Sequence, residues 1–375
     1  MQIALVGCGY VSAYYIQTLP LHPELVLRGV MDRDDARSGS LAKILSVHQY
    51  ESLNAVLEDD QVDIVLNLTN PRNHYEVTRA CLEAGKHVYT EKPLAMSLSR
   101  AKELVETADR SGLYLASAPC TLLNDAGQTF WKAVRDKVVG DIRLVYAEMD
   151  DGMVHRMPYR KWVTEYGVGW PYRDEFETGC TVEHAGYVLT WLAAVFGPAK
   201  TVTAFSSCLV PNKIRGESEA ITTPDFSVAC IQFESGVVAR MTCGLFAPKD
   251  LKIQCFGDEG VLYVDDSRVD RSAVYSRKYI SVRRRVMLTP WKKRCTRIRT
   301  EKYWGHGKNA LHRDFCSGMA EMSEAIKKGC SCRLNASFSL HVNELTLAIQ
   351  NARDTDVPYR MTTTFDPIQP LVESA

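Results

Sequence analysis

The first 120 residues alternate short apolar segments with segments of helical periodicity, and this alternation restricts the fold more than any other feature of the chain. Strand-like runs occur at residues 3–6, 25–31, 62–68, 87–89 and 114–116. Between the third and fourth runs, Val77, Ala80, Cys81 and Ala84 fall at helical spacing, which predicts a helix that ends at Gly85. Strands joined by helices of this length pair in parallel through right-handed crossovers, so we predict a doubly wound α/β domain.

The pattern changes after residue 120. Strand-like runs follow one another at residues 142–149, 201–205, 226–233, 237–242, 251–256 and 261–264, with hairpin-like turns at 234–236 and 257–260. Helices are predicted over residues 181–196, near 310–328 and at 336–352, and residues 265–305 are the least regular part. A chain of 375 residues is long enough for two domains, and we predict an α/β domain at 1–120 and an α+β domain with a large, mostly antiparallel open sheet at 121–375.

Charge balance and hydropathy argue against several classes of partner. Lys and Arg together number 45, as do Asp and Glu, so the net charge predicts neither a nucleic-acid nor a membrane partner. No apolar run approaches the ~18 residues of a membrane span, and no basic stretch precedes an apolar one at the start, so a signal peptide is not expected. The twelve cysteines form no CxxC pair and mostly fall in apolar segments, which predicts reduced core thiols and a cytoplasmic location; examples are Cys81, Cys230 and Cys255.

A glycine-rich turn, GCGYVS at residues 7–12, follows the first strand. In a Rossmann fold the first glycine makes the tight turn, the second lets the backbone approach a pyrophosphate, and the third position needs a small residue, here Ser12. The helix that follows presents unpaired N–H groups to phosphate oxygens. The first domain is therefore predicted to be a dinucleotide-binding Rossmann domain whose turn contacts the cofactor through Gly7, Gly9, Tyr10 and Val11.

Asp32 ends the second strand, where a carboxylate accepts hydrogen bonds from the ribose hydroxyls of a dinucleotide. A carboxylate at this point favours NAD, because it repels the additional phosphate of NADP. Arg33 beside it works against that preference, since a guanidinium group can bind the same phosphate. We expect NAD as the cofactor, with NADP as the alternative.

Two further turns follow the third and fourth strands, at the carboxyl end of the sheet, where open α/β sheets bind their ligands. The first is the sequence TNPRNH at residues 69–74, and the second is EKP at residues 91–93. A lysine that directly follows a buried strand and precedes proline is a better functional candidate than an ordinary surface lysine. We expect these turns to line the cofactor with Thr69, Asn70, Pro71, His74, Glu91 and Lys92.

The sequence AGKHVYTEKPLA at residues 84–95 resembles the signature of the glucose–fructose oxidoreductase / inositol dehydrogenase (Gfo/Idh/MocA) family. The glycine turn and the Asn-Pro-x-x-His turn occur in that family's order and spacing. The resemblance implies a two-domain oxidoreductase with a nicotinamide cofactor on its Rossmann domain. It also implies a second domain that binds a sugar, cyclitol or similar polyol and forms dimers or tetramers, and it makes Lys92 the active-site lysine.

The family carries an Asp…His pair on the first helix of its second domain, and this chain departs from that pattern. Counted back from Gly197, the His position falls on Tyr187 and the Asp position on Glu183, with His184 beside it. At helical spacing these three side chains are expected to share one face. We predict that Tyr187 exchanges the substrate proton and that the ammonium group of Lys92 favours its phenolate. Glu183 or His184 would bind neighbouring hydroxyls, and His184 is the alternative base because imidazole titrates near neutral pH.

Residues 150–173 are rich in Arg, Lys, Trp and Tyr. Aromatic faces stack on sugar rings and guanidinium groups bind anionic substituents, so this stretch is a candidate for substrate binding. An ordered loop that covers the sheet is the alternative. The predicted substrate contacts are Arg156, Lys161, Trp162 and Arg173.

Between Arg277 and Lys302, eleven residues are Lys or Arg and only Glu301 is acidic. Such a run is expected to be a solvated loop or a subunit contact rather than an RNA-binding segment. The alternative is binding of a negatively charged substrate, which His306 and Lys308 would approach from the same stretch.

The combined pattern predicts an NAD(P)-dependent oxidoreductase that transfers a hydride between a nicotinamide cofactor and a secondary hydroxyl of a sugar, sugar derivative or cyclitol. Two alternatives remain: an NAD-dependent enzyme that cleaves glycosides by transient oxidation and elimination, and a non-catalytic dinucleotide-binding sensor. Lys92 and Tyr187 argue against the sensor. No HExxH motif is present and no Cys/His spacing fits zinc, so no metal is predicted.

Overall fold

The computed structural model describes residues 1–299, 313–352 and 357–371, and their contacts form two compact units. The first unit comprises residues 1–119, 158–174 and 314–343, and the rest of the described chain forms the second. Two later segments therefore return to the first unit. The sequence pattern does not signal this return, because strand and helix periodicity report local structure and not long-range packing.

The first unit is built on a six-stranded parallel sheet. Its strands are β1 (Gln2–Val6), β2 (Val26–Met31), β3 (His48–Gln49), β4 (Ile64–Asn67), β5 (His87–Thr90) and β6 (Leu115–Ser117). They are ordered β3-β2-β1-β4-β5-β6, and each neighbouring pair is parallel. This is the strand order of a Rossmann sheet, which confirms the predicted fold.

Five helices alternate with these strands: α1 (Ser12–Thr18), α2 (Asp35–Leu45), α3 (Leu53–Glu58), α4 (His74–Glu83) and α5 (Leu98–Ser111). Local sequence explains the bounds of α5. The hydroxyl of Ser97 accepts the N–H of Arg100 at the helix start, and Gly112 ends the helix with a φ of 63°, which favours glycine. The buried face of α5 is the one that helical spacing predicts: Ala101, Leu104, Val105 and Ala108.

The second unit contains a ten-stranded sheet. Its strands are β7 (Ile142–Asp150), β8 (Ala199–Ser207), β9 (Phe226–Phe233), β10 (Val238–Gly244), β11 (Ile253–Gly257), β12 (Gly260–Val264), β13 (Val274–Val282), β14 (Arg285–Leu288), β15 (Lys293–Arg294) and β16 (Tyr359–Arg360). The order is β14-β13-β12-β11-β7-β10-β9-β8-β16, with β15 paired to β13. Strands β7 and β10 pair in parallel and the other described pairs are antiparallel, which confirms the predicted mostly antiparallel sheet. The region at 265–305 was expected to be irregular because basic residues interrupt the apolar alternation there. It contains β13, β14 and β15 instead.

The remaining helices are α6 (Asp125–Arg135), α7 (Tyr172–Thr178), α8 (Gly186–Phe196), α9 (Ser317–Lys328) and α10 (Ala336–Gln350). Helices α6 and α8 contact the sheet of the second unit, whereas α9 adds Met319 and Met322 to the core of the first. None of the helices in the described ranges combines the length and the apolar character that crossing a bilayer requires.

One face of the second sheet carries exposed side chains. Tyr146 of β7, Arg240 of β10 and Cys230 of β9 are successive cross-strand partners, so they lie on the same face. Tyr146 is 36% exposed and Cys230 is also exposed. The prediction that Cys230 is a core thiol is therefore wrong, because its strand position points away from α6 and α8. All twelve cysteines are free thiols.

Candidate active site

In the glycine turn between β1 and α1, Gly7 is packed closely against the backbone, whereas Gly9 has free space beside it. Gly7 has a φ of 99°, and a Cβ atom there would lie 2.6 Å from the carbonyl carbon of Leu68, so the position requires glycine. A Cβ atom at Gly9 would meet no heavy atom within 4 Å. The hydroxyl of Ser12 donates to the carbonyl of Gly9 at 2.7 Å. The backbone at Gly9 therefore borders free space, which fits the close approach of a pyrophosphate.

Tyr10 and Val11 complete this turn and are both partly buried. The ring of Tyr10 contacts Tyr14 of α1 edge-on, with 5.8 Å between the ring centroids. Val11 packs against the core on the α1 side of the sheet. These two residues hold the turn against the start of α1 and leave the space beside Gly9 open.

Asp32, directly after β2, ties the glycine turn to the second strand. Its carboxylate accepts the N–H of Cys8 at 2.7 Å and the N–H of Asp34 at 2.9 Å. The guanidinium group beside it belongs to Arg37, whose Nη1 lies 3.4 Å from Asp32 Oδ2; Arg37 and Arg33 are both exposed. Sequence reasoning missed Arg37, although its place in the first turn of α2 was a usable signal. Burial, together with Asp32, raises the pKa of the Cys8 thiol to about 12, so this thiol stays protonated.

A buried amide that sequence reasoning omitted organises the turn after β4. The side-chain oxygen of Asn67 accepts the N–H of Thr69 at 3.2 Å and its hydroxyl at 2.7 Å. The side-chain amide of Asn67 donates to the carbonyl of His74 at 3.2 Å and to the hydroxyl of Thr78 at 3.0 Å. This buried residue at the last position of β4 therefore sets the path of the chain toward α4.

His74 is a buried residue at the start of α4 that contacts two neighbouring loops. It is 1% exposed, and its ring nitrogens lie 2.7 Å from the carbonyl oxygen of Pro93 and 2.8 Å from that of Thr69. Burial lowers the pKa of His74, so the ring is neutral near pH 7 and donates from one nitrogen at a time. His74 thus joins the loops after β4 and β5, and its burial favours a supporting role over the predicted cofactor contact.

Lys92 is the second residue after β5. The carboxylate of Glu91, the residue before it, binds the backbone N–H of Lys92. Glu91 is 5% exposed, and its carboxylate accepts the hydroxyl of Tyr15 at 2.8 Å and the N–H of Lys92 at 3.1 Å. The Lys92–Pro93 peptide is cis, and Lys92 itself is partly exposed. Glu91 therefore positions Lys92 at the carboxyl end of the sheet, and its burial argues against the predicted contact with a cofactor.

Residues 158–174 belong to the first unit and contain a short hairpin beside the glycine turn. Val163 pairs with Gly169 across the hairpin, and the rings of Trp162 and Trp170 pack with their centroids 5.0 Å apart. Near the tip, this segment lines one cavity together with the glycine turn and α2. The lining residues are Cys8, Ser12, Arg37, Ser40, Leu41, Tyr166 and Val168.

A polar contact joins the same hairpin segment to the turn after β4. The side-chain amide of Asn70 donates to the carboxylate of Asp174 at 2.5 Å. The neighbouring Pro71 begins a short 3-10 turn that ends at Asn73. Asn70 is exposed, so it and Pro71 lie at the surface of the first unit, as a cofactor contact requires.

The four predicted substrate residues are divided between the two units. Lys161, Trp162 and Arg173 belong to the first unit, and Arg156 belongs to the second. Lys161 and Arg156 are exposed, while Trp162 packs within the hairpin. His306, Lys308 and the end of the basic run from Thr300 to Lys302 lie outside the described residues.

In the second unit, His184 and Tyr187 are partly exposed on an otherwise buried helical segment. The segment begins with a π-helix at Thr181–Ala185 and continues as α8. The three predicted side chains therefore do not all share one α-helical face, because a π-turn holds more residues than an α-turn and shifts their directions. Glu183 is 4% exposed and lies inside the unit.

Asp151, just after β7, binds the imidazole of His184 and the guanidinium group of Arg268. His184 Nδ1 contacts Asp151 Oδ2, and Arg268 binds both carboxylate oxygens, with its Nη1 at 3.0 Å from Oδ2. Burial alone would raise the pKa of Asp151, but the charges and hydrogen bonds of His184 and Arg268 outweigh burial and hold that pKa well below its usual range. Asp151 is therefore a carboxylate at all ordinary pH values and fixes the orientation of both partners.

Two guanidinium groups lie near the ring of Tyr187. The Cζ atom of Arg268 is 5.7 Å from the ring centroid and that of Arg313 is 5.8 Å from it. Sequence reasoning missed Asp151, Arg268 and Arg313, since they come from strand ends and loops far from α8 in the chain. Across the residues that the structure describes, no three His, Cys, Asp or Glu side chains are grouped to hold a metal ion.

Family models match both units of this architecture. Residues 1–118 match the model described as an oxidoreductase family with an NAD-binding Rossmann fold, and residues 128–263 match the GFO/IDH/MocA C-terminal domain. The chain belongs to the Gfo/Idh/MocA family. It is an oxidoreductase with an NAD-binding Rossmann domain, which confirms the predicted family, fold, cofactor and class of enzyme.

Relatives with named activities are distant in sequence. The chain is 24% identical to the trans-1,2-dihydrobenzene-1,2-diol dehydrogenase of Bos taurus, over 70% of this chain and 73% of the relative. It is 22% identical to the myo-inositol 2-dehydrogenase of Thermotoga maritima, over 72% of this chain and 76% of the relative. The solved structure of a levoglucosan dehydrogenase with NADH and levoglucosan superposes with a TM-score of 0.79 at 15% identity, over 97% of this chain and 100% of that one. This similarity establishes a shared fold.

Proposed function

We propose that this family member oxidises a secondary hydroxyl of a sugar, sugar derivative or cyclitol, with NAD as the hydride acceptor. The observation that carries the proposal is the group around Tyr187: its phenol and an imidazole held by Asp151 lie on one helical segment, and the guanidinium groups of Arg268 and Arg313 lie near the Tyr187 ring. The named activities of the inositol and levoglucosan dehydrogenases support this class of substrate.

Binding of NAD is assigned to the glycine turn and the loops after β2, β4 and β5. When bound, NAD accepts the hydride from the carbon that bears the hydroxyl. The open space at Gly9 fits the pyrophosphate, and the carboxylate of Asp32 fits the ribose hydroxyls and favours NAD over NADP. Arg37 is the residue that would bind the NADP phosphate if both cofactors are used.

Removal of the hydroxyl proton is assigned to the second unit. Positive charge close to a phenol stabilises the phenolate, and Arg268 and Arg313 place that charge beside Tyr187. We therefore assign proton exchange to Tyr187. His184 is the alternative base, because Asp151 holds its Nδ1 and leaves Nε2 for a substrate. Lys92, which the family resemblance makes the active-site lysine, is assigned to orient the reacting hydroxyl.

The test is to titrate the purified protein with NAD and NADP and then to follow absorbance at 340 nm with a panel of sugars, sugar derivatives and cyclitols. We expect saturable reduction of NAD by at least one member of the panel. Release of a sugar from a glycoside with no net change at 340 nm would instead support transient oxidation and elimination. Dinucleotide binding without turnover of any compound would support the sensor.

We also propose that the protein forms a dimer through the exposed face of its second sheet. Tyr146 on this face lies beneath the guanidinium group of Arg240, with the Cζ atom 4.3 Å from the ring centroid, and packs against Phe256. Exposed aromatic and aliphatic side chains on one sheet face are typical of subunit contacts. Light scattering after size-exclusion chromatography measures the mass directly.

A further inference from the structure

Strands β13 and β14 extend beyond the body of the second sheet as a two-stranded arm. The last pair that joins β13 to β12 is Lys278 with Gly260, and beyond it residues 279–282 pair with residues 285–288. Within the described part of the chain these residues pair with no further strand. The turn at the tip consists of Arg283, which has a φ of 57°, and Arg284.

The arm and its base concentrate positive charge. Residues 277–294 contain eight Lys or Arg residues and no Asp or Glu, although the whole chain has no net charge. Lys278 forms an ion pair with Glu259 at 2.6 Å. The three tip residues Arg283, Arg284 and Arg285 form no ion pair with any described residue. The net charge of the chain therefore gives no indication of how charged this surface is.

Apolar side chains are exposed among these cations. Ile280 and Met287 are cross-strand partners on one face of the arm, 39% and 51% exposed, and Val282 on the same face is 47% exposed. Val286 on the opposite face is 70% exposed, and Trp291, just after β14, is 69% exposed. A purely solvated arm has no need of five exposed apolar side chains, so the surface is suited to a partner that takes up both charge and apolar groups.

We propose that this arm docks on an anionic phospholipid surface. Cations attract the lipid phosphates, and aliphatic and tryptophan side chains enter the boundary between headgroups and acyl chains. Because the arm is a two-stranded hairpin, it offers a projecting surface to a partner rather than a cavity that encloses a small substrate. The expectation of no membrane partner was drawn from the net charge, which does not reflect this local excess.

Other partners match fewer of these features. Nucleic acid would use the arginines and the tryptophan, but the exposed aliphatic side chains have no role on a phosphate backbone. A second copy of the same arm would bring like charges together at the tip, which is unfavourable. An anionic bilayer is the partner that uses the cations, the aliphatic side chains and Trp291 together.

The test is flotation of the full-length protein with vesicles of phosphatidylcholine alone or with 30% phosphatidylglycerol. We expect partition only into the anionic vesicles, weakened by added salt. Each arginine near an anionic leaflet raises the partition coefficient about five-fold. The triple change Arg283→Ala, Arg284→Ala and Arg285→Ala is therefore expected to lower it on the order of 100-fold. The triple change of the same residues to lysine should restore it.

Two further variants separate lipid insertion from charge alone. Changing Val282, Val286 and Met287 to serine keeps the charge and should weaken partition about ten-fold or more. A control that removes three exposed cations from the first unit should leave partition unchanged; it combines Lys43→Ala, Lys327→Ala and Lys328→Ala. Melting temperature and NADH binding of each variant verify that it is folded.

Three results would overturn the proposal. They are equal partition into neutral and anionic vesicles, partition that the arginine change leaves intact, and absence of partition into both. Binding of a 20-nucleotide duplex or of single-stranded RNA at the salt concentration where vesicles fail would assign the arm to nucleic acid instead. A serine variant with wild-type partition would also refute the insertion of apolar side chains.

Discussion

Separate replacement of Gly7 and Gly9 by alanine distinguishes a folding role from a ligand role within one turn. Alanine at residue 7 must adopt a φ of 99° and place its Cβ 2.6 Å from the backbone of Leu68. The conformation costs about 1–3 kcal/mol, and relief of the contact costs about 1–3 kcal/mol more. Since about 2–4 °C is lost per kcal/mol in a domain of this size, the melting temperature of Gly7→Ala should fall on the order of 10 °C.

Alanine at residue 9 should have the opposite effect. Its Cβ meets no heavy atom within 4 Å and Gly9 does not have a positive φ, so the melting temperature without ligand should stay within about 1–2 °C of wild type. The added methyl group occupies the space where the pyrophosphate approaches. NADH affinity should fall at least about ten-fold, which corresponds to about 1.4 kcal/mol.

Two measurements decide between these roles. Thermal scans without ligand report folding, and fluorescence titration with NADH reports the dissociation constant of each variant. Saturating NADH, at about 100 times the dissociation constant, stabilises the wild-type protein by about 2.7 kcal/mol, and at the same concentration Gly9→Ala should show much less stabilisation. Wild-type NADH affinity in Gly9→Ala would refute the placement of the pyrophosphate, and a large drop in its melting temperature would refute the open space.

Three further predictions concern the second unit. Tyr187→Phe should slow pre-steady-state hydride transfer by about 10²–10⁴-fold and leave NADH affinity unchanged, whereas near-normal transfer would move the proton role to His184. Asp151→Asn leaves Arg268 buried without its charged partner and should lower the free energy of unfolding by about 3 kcal/mol at pH 7. The pKa of Asp151 is lower in the folded state than in the unfolded state, so its contribution to the free energy of unfolding is fully present above the unfolded value of ~4 and is lost as the pH falls. The urea curves of wild type and variant should therefore begin to converge below about pH 4. A difference in stability that is constant with pH would contradict this. Tyr146→Asp on the exposed sheet face should convert a dimer into a monomer by light scattering, and an unchanged mass would exclude that face as the interface.

The fold of the first unit could be predicted because it is encoded locally. Alternation of apolar strands with amphipathic helices restricts the topology to parallel crossovers, and the glycine turn follows β1 at the expected point. The mostly antiparallel second sheet was predictable for the same reason, since hairpin turns report strand pairing between neighbours. The arm at β13 and β14 was missed because its cations hide the strand alternation.

The supporting residues of the candidate site could not be predicted in this way. Asn67 and Glu91 are polar residues at strand ends, and only the tertiary structure shows that they are buried and hold the neighbouring loops. Arg268 comes next to Tyr187 through packing between elements that are distant in the chain. Such contacts depend on three-dimensional packing, which no local periodicity encodes.

By itself the sequence determined the two architectures and the family, and it singled out the glycine turn, Asp32 and Lys92 as candidates for the site. Each depends on residues that are close in sequence, so local spacing carries the information. Tertiary structure alone decided that residues 158–174 and 314–343 return to the first unit, that the segment before α8 is a π-turn, and that Asp151 holds His184 and Arg268. These features are set by burial, ion pairing and packing between distant segments, which act only once the chain has folded.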